Sequence, residues 1–269
     1  MTDVVIREDV GAVAVLRMNR PPVNALSEEL LDGIHRSVLT AADDPAVGAI
    51  VITGSDRAFV AGGDIELLQA ADPARFKKYF RGMQQVWDEI EAVPVPTIAA
   101  INGYALGGGC ELALSCDLRF AAETARLGTP EVRLGLFPAA GGTARLARQV
   151  GKGRALEIIW TARHVPAYEA LRIGLVEQVY PDAGVLPAAI DFAATLAAGP
   201  RAALAAAKRC VLAGLDGGLR AELRSEVREV ETLFGTPDNQ EGLAAFLERR
   251  EPHFGVAQSA SAQPETTAR

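Results

Sequence analysis

Cysteine and histidine are both scarce in this sequence, which contains three residues of each. The cysteines, Cys110, Cys116 and Cys210, are odd in number and form no Cys-x-x-Cys pair. A disulfide framework and a cysteine zinc site are therefore not expected, and a reducing cytoplasm fits best. Nothing in the sequence calls for a metal or a redox cofactor.

Long apolar runs and basic runs are also missing. The most apolar stretch, residues 93–106, is interrupted by two prolines, Asn102 and Gly103, so we expect no membrane span. Asp and Glu outnumber Lys and Arg by 34 to 27, which argues against nucleic-acid binding because phosphate contacts dominate that affinity. The N-terminal residues carry acids early and resemble no secretory signal, so a cytoplasmic location is expected.

The chain nevertheless has the composition of a globular protein, since 49% of its 269 residues are hydrophobic. Short apolar runs predict buried strands at residues 47–53, 97–101 and 118–121. Amphipathic patterns predict helices at residues 27–44, 75–93, 187–198, 200–213, 217–234 and 238–249. Strand and helix alternate in the first half and helices fill the last third. We therefore expect an α/β fold with a helical C-terminal region.

Two glycine-rich loops each follow a predicted strand. They are Phe-Val-Ala-Gly-Gly-Asp at 59–64 and Leu-Gly-Gly-Gly-Cys-Glu at 106–111, and the second opens a helix. Without a Cβ in the way, backbone N–H groups of such loops can approach a ligand closely. Two loops that meet could hold a developing oxyanion between two N–H groups. The alternative is that the glycines merely allow tight turns or close packing.

Other glycine motifs do not fit. Residues 107–112 read Gly-Gly-Gly-Cys-Glu-Leu, with Leu112 where a dinucleotide-binding fingerprint has its last glycine. The only Gly-Lys pair, at Gly151, is followed by another glycine and lacks the upstream glycine of a phosphate-binding loop. No serine has the Gly-x-Ser-x-Gly setting of a nucleophile elbow.

Two carboxylates lie near these loops in sequence. Glu111 is in the first turn of the helix that the second glycine loop opens, and Glu131 follows Gly128-Thr129-Pro130. Paired carboxylates in a partly apolar cleft can share a water and have raised pKa values, which suits acid–base chemistry near neutral pH. Taken singly, Glu111 could be an acid favoured by the helix dipole, and Glu131 a solvated loop residue.

Several segments together resemble the crotonase superfamily, and within it the enoyl-CoA hydratases. The resemblance covers residues 4–254, and its segments are NRPPVNALS at 19–27, VGAIVITG at 47–54, AFVAGGDI at 58–65, PTIAAINGYALGGGCELALSCDLRFA at 96–121, LGTPEVRLGLFPAAGGTARL at 127–146 and TPDNQEGLAAFLERREPHF at 236–254. The order and spacings are those of the superfamily. The glycine loop is the most specific segment, whereas the hydratase subclass depends mainly on the two glutamates.

The resemblance implies roles for individual residues. The backbone N–H groups of Gly63 and Gly108 would form the oxyanion hole for an acyl-CoA thioester. Glu111 would hold and activate the water that adds to the β-carbon, and Glu131 would deliver the proton to the α-carbon. Neighbouring residues expected to contact the substrate are Ala61, Gly62, Asp64, Ile65 and Gly107. Coenzyme A would be part of the substrate, so neither a separate cofactor nor a metal is expected.

The resemblance also implies an architecture. We expect a crotonase-like spiral of ββα repeats over residues 1–190, a C-terminal helical trimerisation region over 191–254 and a disordered tail over 255–269. The expected assembly is a homotrimer or a dimer of trimers. Candidate cations for the phosphates of coenzyme A are Arg20, Lys77, Arg81, Arg249 and Arg250.

Two departures from the hydratase pattern keep other functions open. Gly63 stands where many hydratases have alanine, and the Arg-Pro-Pro-Val-Asn segment at 20–24 is one residue shorter and resembles that of some double-bond isomerases. An enoyl-CoA isomerase or another crotonase-type acyl-CoA reaction is therefore the first alternative. A non-catalytic acyl-CoA-binding protein is the second.

Overall fold

The computed structural model describes residues 3–55, 57–217 and 219–255. They fall into two compact units, one ending at Ala197 and the other beginning at Ala198. The domain boundary predicted after residue 190 lies inside a helix of the first unit and stays a prediction. The expected tail lies outside the described residues from 256 onward.

Ten strands and eleven α-helices make up the described chain. The strands are β1 Val5–Val10, β2 Val13–Met18, β3 Ala49–Thr53, β4 Ala58–Val60, β5 Thr97–Ile101, β6 Tyr104–Leu106, β7 Leu118–Ala122, β8 Arg126–Gly128, β9 Val165–Pro166 and β10 Gln178–Tyr180. The helices are α1 Glu28–Asp43, α2 Ile65–Ala70, α3 Pro73–Ala92, α4 Gly108–Ser115, α5 Gly142–Val150, α6 Lys152–Thr161, α7 Ala167–Ile173, α8 Val185–Ala197, α9 Arg201–Asp216, α10 Leu219–Leu233 and α11 Pro237–Glu248. Two short 3₁₀ turns, Pro130–Leu134 and Asp182–Gly184, complete the regular structure.

The strands form two sheets. The larger has the order β1-β2-β3-β5-β7-β10, in which only the β1–β2 hairpin is antiparallel, and the smaller has the order β4-β6-β8-β9. Every residue of β3 and of β5 is buried, as the continuous apolar runs predict for parallel strands covered on both faces. Helix α8 packs against β2, β3 and β5, and α1 against β2 and α3.

A ββα repeat occurs three times in the unit that ends at Ala197. A strand of the large sheet is followed by a short strand of the small sheet and then by helical structure: β3-β4-α2, β5-β6-α4 and β7-β8 with the 3₁₀ turn and α5. This is the repeat that the resemblance implies. Sequence patterns predicted the long strands but missed β4, β6 and β8, because three residues are too few to show a period.

Local sequence accounts for the ends of the helices that flank the site. The Ser27 hydroxyl accepts a hydrogen bond from the N–H of Leu30 and caps α1, whose predicted range begins at this residue. Asp72 caps α3 in the same way, so this helix begins at Pro73, two residues before its predicted start. The four helices from α8 onward lie within a few residues of their predicted positions.

The described residues contain neither a single membrane-spanning helix nor a metal-binding cluster. No single helix in them is long and apolar enough to cross a membrane. One pair of segments, Asp182–Ala197 and Arg201–Asp216, reaches the length and apolar composition of a membrane span only when the two are taken together. No group of three or more His, Cys, Asp or Glu residues in the same part of the chain is arranged to hold a metal ion.

Candidate active site

Three neighbouring strands of the small sheet end side by side at the candidate site. Because β4, β6 and β8 run parallel, their carboxyl ends share one edge. The residues that follow them are those singled out in the sequence: the loop 61–64 after β4, Gly107 and Gly108 after β6, and Thr129 to Glu131 after β8. Ligands of open parallel sheets bind at this edge.

The loop after β4 presents the N–H of Gly63. Leu26 bridges this loop, since its N–H donates to the Gly62 carbonyl at 2.8 Å and its carbonyl accepts from the N–H of Asp64 at 3.0 Å. In extended backbone successive N–H groups alternate in direction, so the N–H of Gly63 points away from Leu26. No hydrogen bond among the described residues uses it. The backbone therefore leaves one donor available at the position predicted for the oxyanion hole.

Asp64 shapes this loop. Its carboxylate caps α2 by accepting from the N–H of Leu67 at 3.2 Å, and Arg20 lies 2.7 Å from its other oxygen. The hydrogen bond from Leu67, followed by that from Arg20, holds the pKa of Asp64 below its usual value. Asp64 does not line the cavity described below, whereas its neighbour Ile65 does.

The loop after β6 brings a helix N-terminus to the same edge. Gly107 has φ +55°, a backbone conformation that favours glycine, and its N–H donates to the Gly128 carbonyl. Gly108 is the first residue of α4, which has no side-chain N-cap in the described structure. The first N–H groups of a helix lack intrahelical partners. A second donor, that of Gly108, is thus available beside the loop of Gly63.

Glu111 lies in the first turn of α4 and is 2% exposed. Its Oε1 accepts from the N–H of Ala140 at 2.9 Å and from the N–H of Gly142 at 3.0 Å. Two N–H groups that flank one residue and converge on an anion form a nest, and this nest lies at the N-terminus of α5. Burial raises the pKa of Glu111, opposed by the two N–H groups and by the charge of Arg145. Its carboxylate is therefore fixed in direction.

Glu131 is held less tightly. It lies in the 3₁₀ turn Pro130–Leu134, and its buried Oε2 has no hydrogen-bond partner within the described residues. Burial, reinforced by the negative charge of Glu111, raises its pKa to about 7. Its Oε1 lies 3.3 Å from where a Cβ on Gly107 would stand, so a side chain at Gly107 would press on this carboxyl. Glu131 can therefore gain and lose a proton near neutral pH.

A cavity of about 320 Å³ joins these groups. It is lined by the predicted residues Ala61, Gly62, Gly63, Ile65, Gly107, Gly108, Glu111 and Glu131. Its other walls are mostly apolar and come from Leu68, Tyr79, Phe80, Met83, Pro130, Leu134 and Leu136, with Arg133 and His164 as charged or titratable members. The arrangement places two carboxyl groups and two unused N–H donors around one apolar space, which suits acid–base chemistry on a carbonyl compound.

Comparison with known proteins identifies the family. A model of the family described as enoyl-CoA hydratase/isomerase matches residues 8–257. The chain belongs to the enoyl-CoA hydratase/isomerase family. A probable enoyl-CoA hydratase of Mycobacterium bovis is 41% identical over 90% of this chain and 94% of its own length. A crotonyl-CoA hydratase of Syntrophomonas wolfei is 41% identical over 93% of this chain and 97% of its own length.

A solved structure confirms the fold of this family member. The enoyl-CoA hydratase of Bacillus anthracis superposes with a TM-score of 0.90 at 35% identity and covers 93% of this chain and 98% of that one. The predicted crotonase-type α/β fold is thereby confirmed.

Two of the cations suggested for the phosphates of coenzyme A are engaged elsewhere. Arg20 pairs with Asp64 at 2.7 Å. Arg250 pairs with Glu241 and with Glu248, in both cases at 2.6 Å. Lys77 and Arg81 are exposed on α3, the helix that also lines the cavity.

Sequence reasoning missed the nest that holds Glu111. Only the pair Gly141-Gly142 before a helical pattern hinted at the nest.

Proposed function

We propose that this protein is an enoyl-CoA hydratase that adds water reversibly, in syn fashion, to trans-2-enoyl-CoA and forms 3-hydroxyacyl-CoA. The observation that carries the proposal is the cavity bounded by both Glu111 and Glu131 and by the N–H donors of Gly63 and Gly108. The hydratases among its relatives support the choice of reaction.

In this proposal the thioester carbonyl lies between the N–H groups of Gly63 and Gly108. Both donors withdraw electrons from the conjugated system, so the β-carbon becomes electrophilic. They also hold the enolate oxygen that forms when the β-carbon is attacked. Loss of one such donor typically lowers the rate on the order of 100- to 1,000-fold.

The two glutamates would have different roles in the addition of water. Glu111, whose Oε1 is fixed by two N–H groups, takes a proton from the water, and the hydroxide bonds to the β-carbon. Glu131, protonated beforehand, delivers its proton to the α-carbon. The pair gains one proton and loses one, and the next water carries the proton back from Glu111 to Glu131. No metal or cofactor is needed for these steps in the proposal.

The hydratase assay follows the loss of enoyl-thioester absorbance when purified protein is mixed with crotonyl-CoA and with a longer enoyl-CoA. We expect rapid loss with the native chain. Glu111→Gln and Glu131→Gln should each lower kcat by a factor on the order of 10² to 10⁴, because each removes one proton-transfer group. Arg7→Gln, which removes a cation that does not line the cavity, serves as a control and should leave kcat unchanged.

The isomerase alternative has its own signature in the same experiment. Isomerases of this superfamily work mainly with one carboxylate. Two results together would overturn the proposal. The native chain would fail to hydrate 2-enoyl-CoA, and the Glu111→Gln variant would still convert a 3-enoyl-CoA to its 2-enoyl isomer. Binding of CoA esters without any turnover would point to the non-catalytic alternative. The cytoplasmic location stays an expectation from the cysteines and the N-terminal residues. The homotrimer or dimer of trimers stays an expectation from the resemblance.

A further inference from the structure

We infer that Arg145 is a positioning residue for Glu111, which it orients by tying the nest at the start of α5 to the cavity wall formed by α3. The inference rests on the proposed function, because it names a residue that serves the same reaction without touching the substrate.

The first observation is the environment of Arg145. Its side chain is only 9% exposed although it carries a full charge. Its Nη2 lies 2.7 Å from Oδ1 of Asp88 and 2.6 Å from Oε2 of Glu91, and its Nε lies 3.2 Å from both oxygens of Glu91. Both acids are on α3, so one guanidinium forks across two carboxylates and joins α5 to α3. Forked pairs of this kind fix geometry as well as charge.

The second observation is where the guanidinium rests. Gly141 is the N-cap of α5 with φ +97°, and a Cβ built on it would overlap Nη1 of Arg145. Arg145 therefore occupies the space that a side chain at position 141 would need. Ala140 and Gly142 flank Gly141, and their N–H groups are those that bind Oε1 of Glu111. The guanidinium thus covers the one residue between the two donors.

The third observation is what α3 itself contributes. Tyr79, Phe80 and Met83 of this helix line the cavity. The Tyr79 hydroxyl donates to the Leu26 carbonyl at 2.7 Å, and the same carbonyl accepts the N–H of Asp64 beside Gly63. Helix α3 is therefore a common support for the loop of Gly63 and, through Arg145, for the nest of Glu111. Removing Arg145 would free the nest from that support.

The test compares Arg145→Gln with Arg145→Lys in the full chain. We expect Arg145→Gln to lower kcat for crotonyl-CoA hydration about 10- to 100-fold with little change in KM, because a misplacement of about 1 Å in a reacting group can cost on the order of 100-fold. Lysine keeps the charge without the fork, so its kcat should lie between those of Arg145→Gln and the native chain.

Arg7→Gln is the matched control, since Arg7 is also a partly buried arginine that pairs with two acids, Asp9 and Asp44. It should leave kcat unchanged. A kcat for Arg145→Gln within about twofold of the native value, or an equal loss in Arg7→Gln, would overturn the inference.

Amide hydrogen exchange gives a reading that does not depend on the reaction. In Arg145→Gln, the peptide covering residues 138–143 should exchange faster, because the N–H groups of Ala140 and Gly142 are held less firmly. Unchanged exchange there would contradict the positioning role. If the native chain fails to hydrate crotonyl-CoA but Arg145→Gln still exchanges faster at residues 138–143, the proposed function alone is refuted. If Arg145→Gln does not fold, Glu91→Gln and Asp88→Asn remove the partner side and are measured in the same ways.

Discussion

At the scale of single residues, environment gives the two glutamates different properties. Glu111 accepts two backbone hydrogen bonds, whereas the buried Oε2 of Glu131 has no partner within the described residues. Hydrogen bonds to a carboxylate favour its charged form, and burial without them favours the neutral form. Burial raises the pKa of both carboxyl groups. The fixed orientation of Glu111 suits it to hold a water, and the proposal assigns the proton donation to Glu131.

The raised pKa of Glu131, about 7, predicts a pH dependence. Hydration requires Glu131 to be protonated in the free enzyme, so kcat/KM should fall as the pH rises through about 7, with the slope of one proton. Hydration neither releases nor consumes protons overall, so its equilibrium constant does not change with pH and dehydration must show the same profile. Steady-state rates in both directions from pH 5.5 to 9 check this. A flat profile across pH 7 would argue against proton donation by Glu131.

At the scale of elements, the glycines of α4 set how closely this helix approaches β4. A Cβ on Gly109 would overlap the carbonyl oxygen and side chain of Val60, and neither can move without displacing the strand. At Gly82 of α3, by contrast, a Cβ would meet no atom within 4 Å. The same substitution should thus have opposite effects in these two helices.

We therefore predict that Gly109→Ala is destabilising by several kcal/mol, a cost on the order of that of overpacking a core. Gly82→Ala should stabilise by about 0.5–1 kcal/mol, because alanine loses less conformational entropy in a helix. Urea unfolding of both variants measures the difference. A stable Gly109→Ala protein with native activity would show that α4 and β4 are not packed as closely as described.

At the scale of the whole molecule, the C-terminal unit bears large apolar side chains on its surface. Phe234, Phe246 and Leu247 are each about 80% exposed. This exposure is what the expected homotrimer or dimer of trimers would cover.

Phe246→Glu should therefore shift the molar mass measured by light scattering toward that of one chain, because a buried charge opposes association. Far-UV circular dichroism would establish that the helices remain. A native chain that is monomeric, or a variant that keeps the native mass, would contradict the expected assembly.

Much of the fold follows from local sequence. Continuous apolar runs predict β3, β5 and β7, Ser27 predicts the start of α1, and the helical patterns predict α8 to α11. The small sheet could not be predicted from local sequence, because its strands have three residues or fewer and acquire their conformation by pairing with one another.

The sequence by itself determined the family, the two glycine loops and the pair of glutamates, because these depend on residue type and spacing along the chain. Tertiary structure alone decided that β4, β6 and β8 end at one edge, since parallel pairing joins residues separated by more than twenty positions. It also decided the surroundings of the carboxyl groups: a nest for Glu111, a buried Oε2 without a partner among the described residues for Glu131, and a bridge from Arg145 to α3. Burial and hydrogen bonding depend on distance in space, and no local pattern records them.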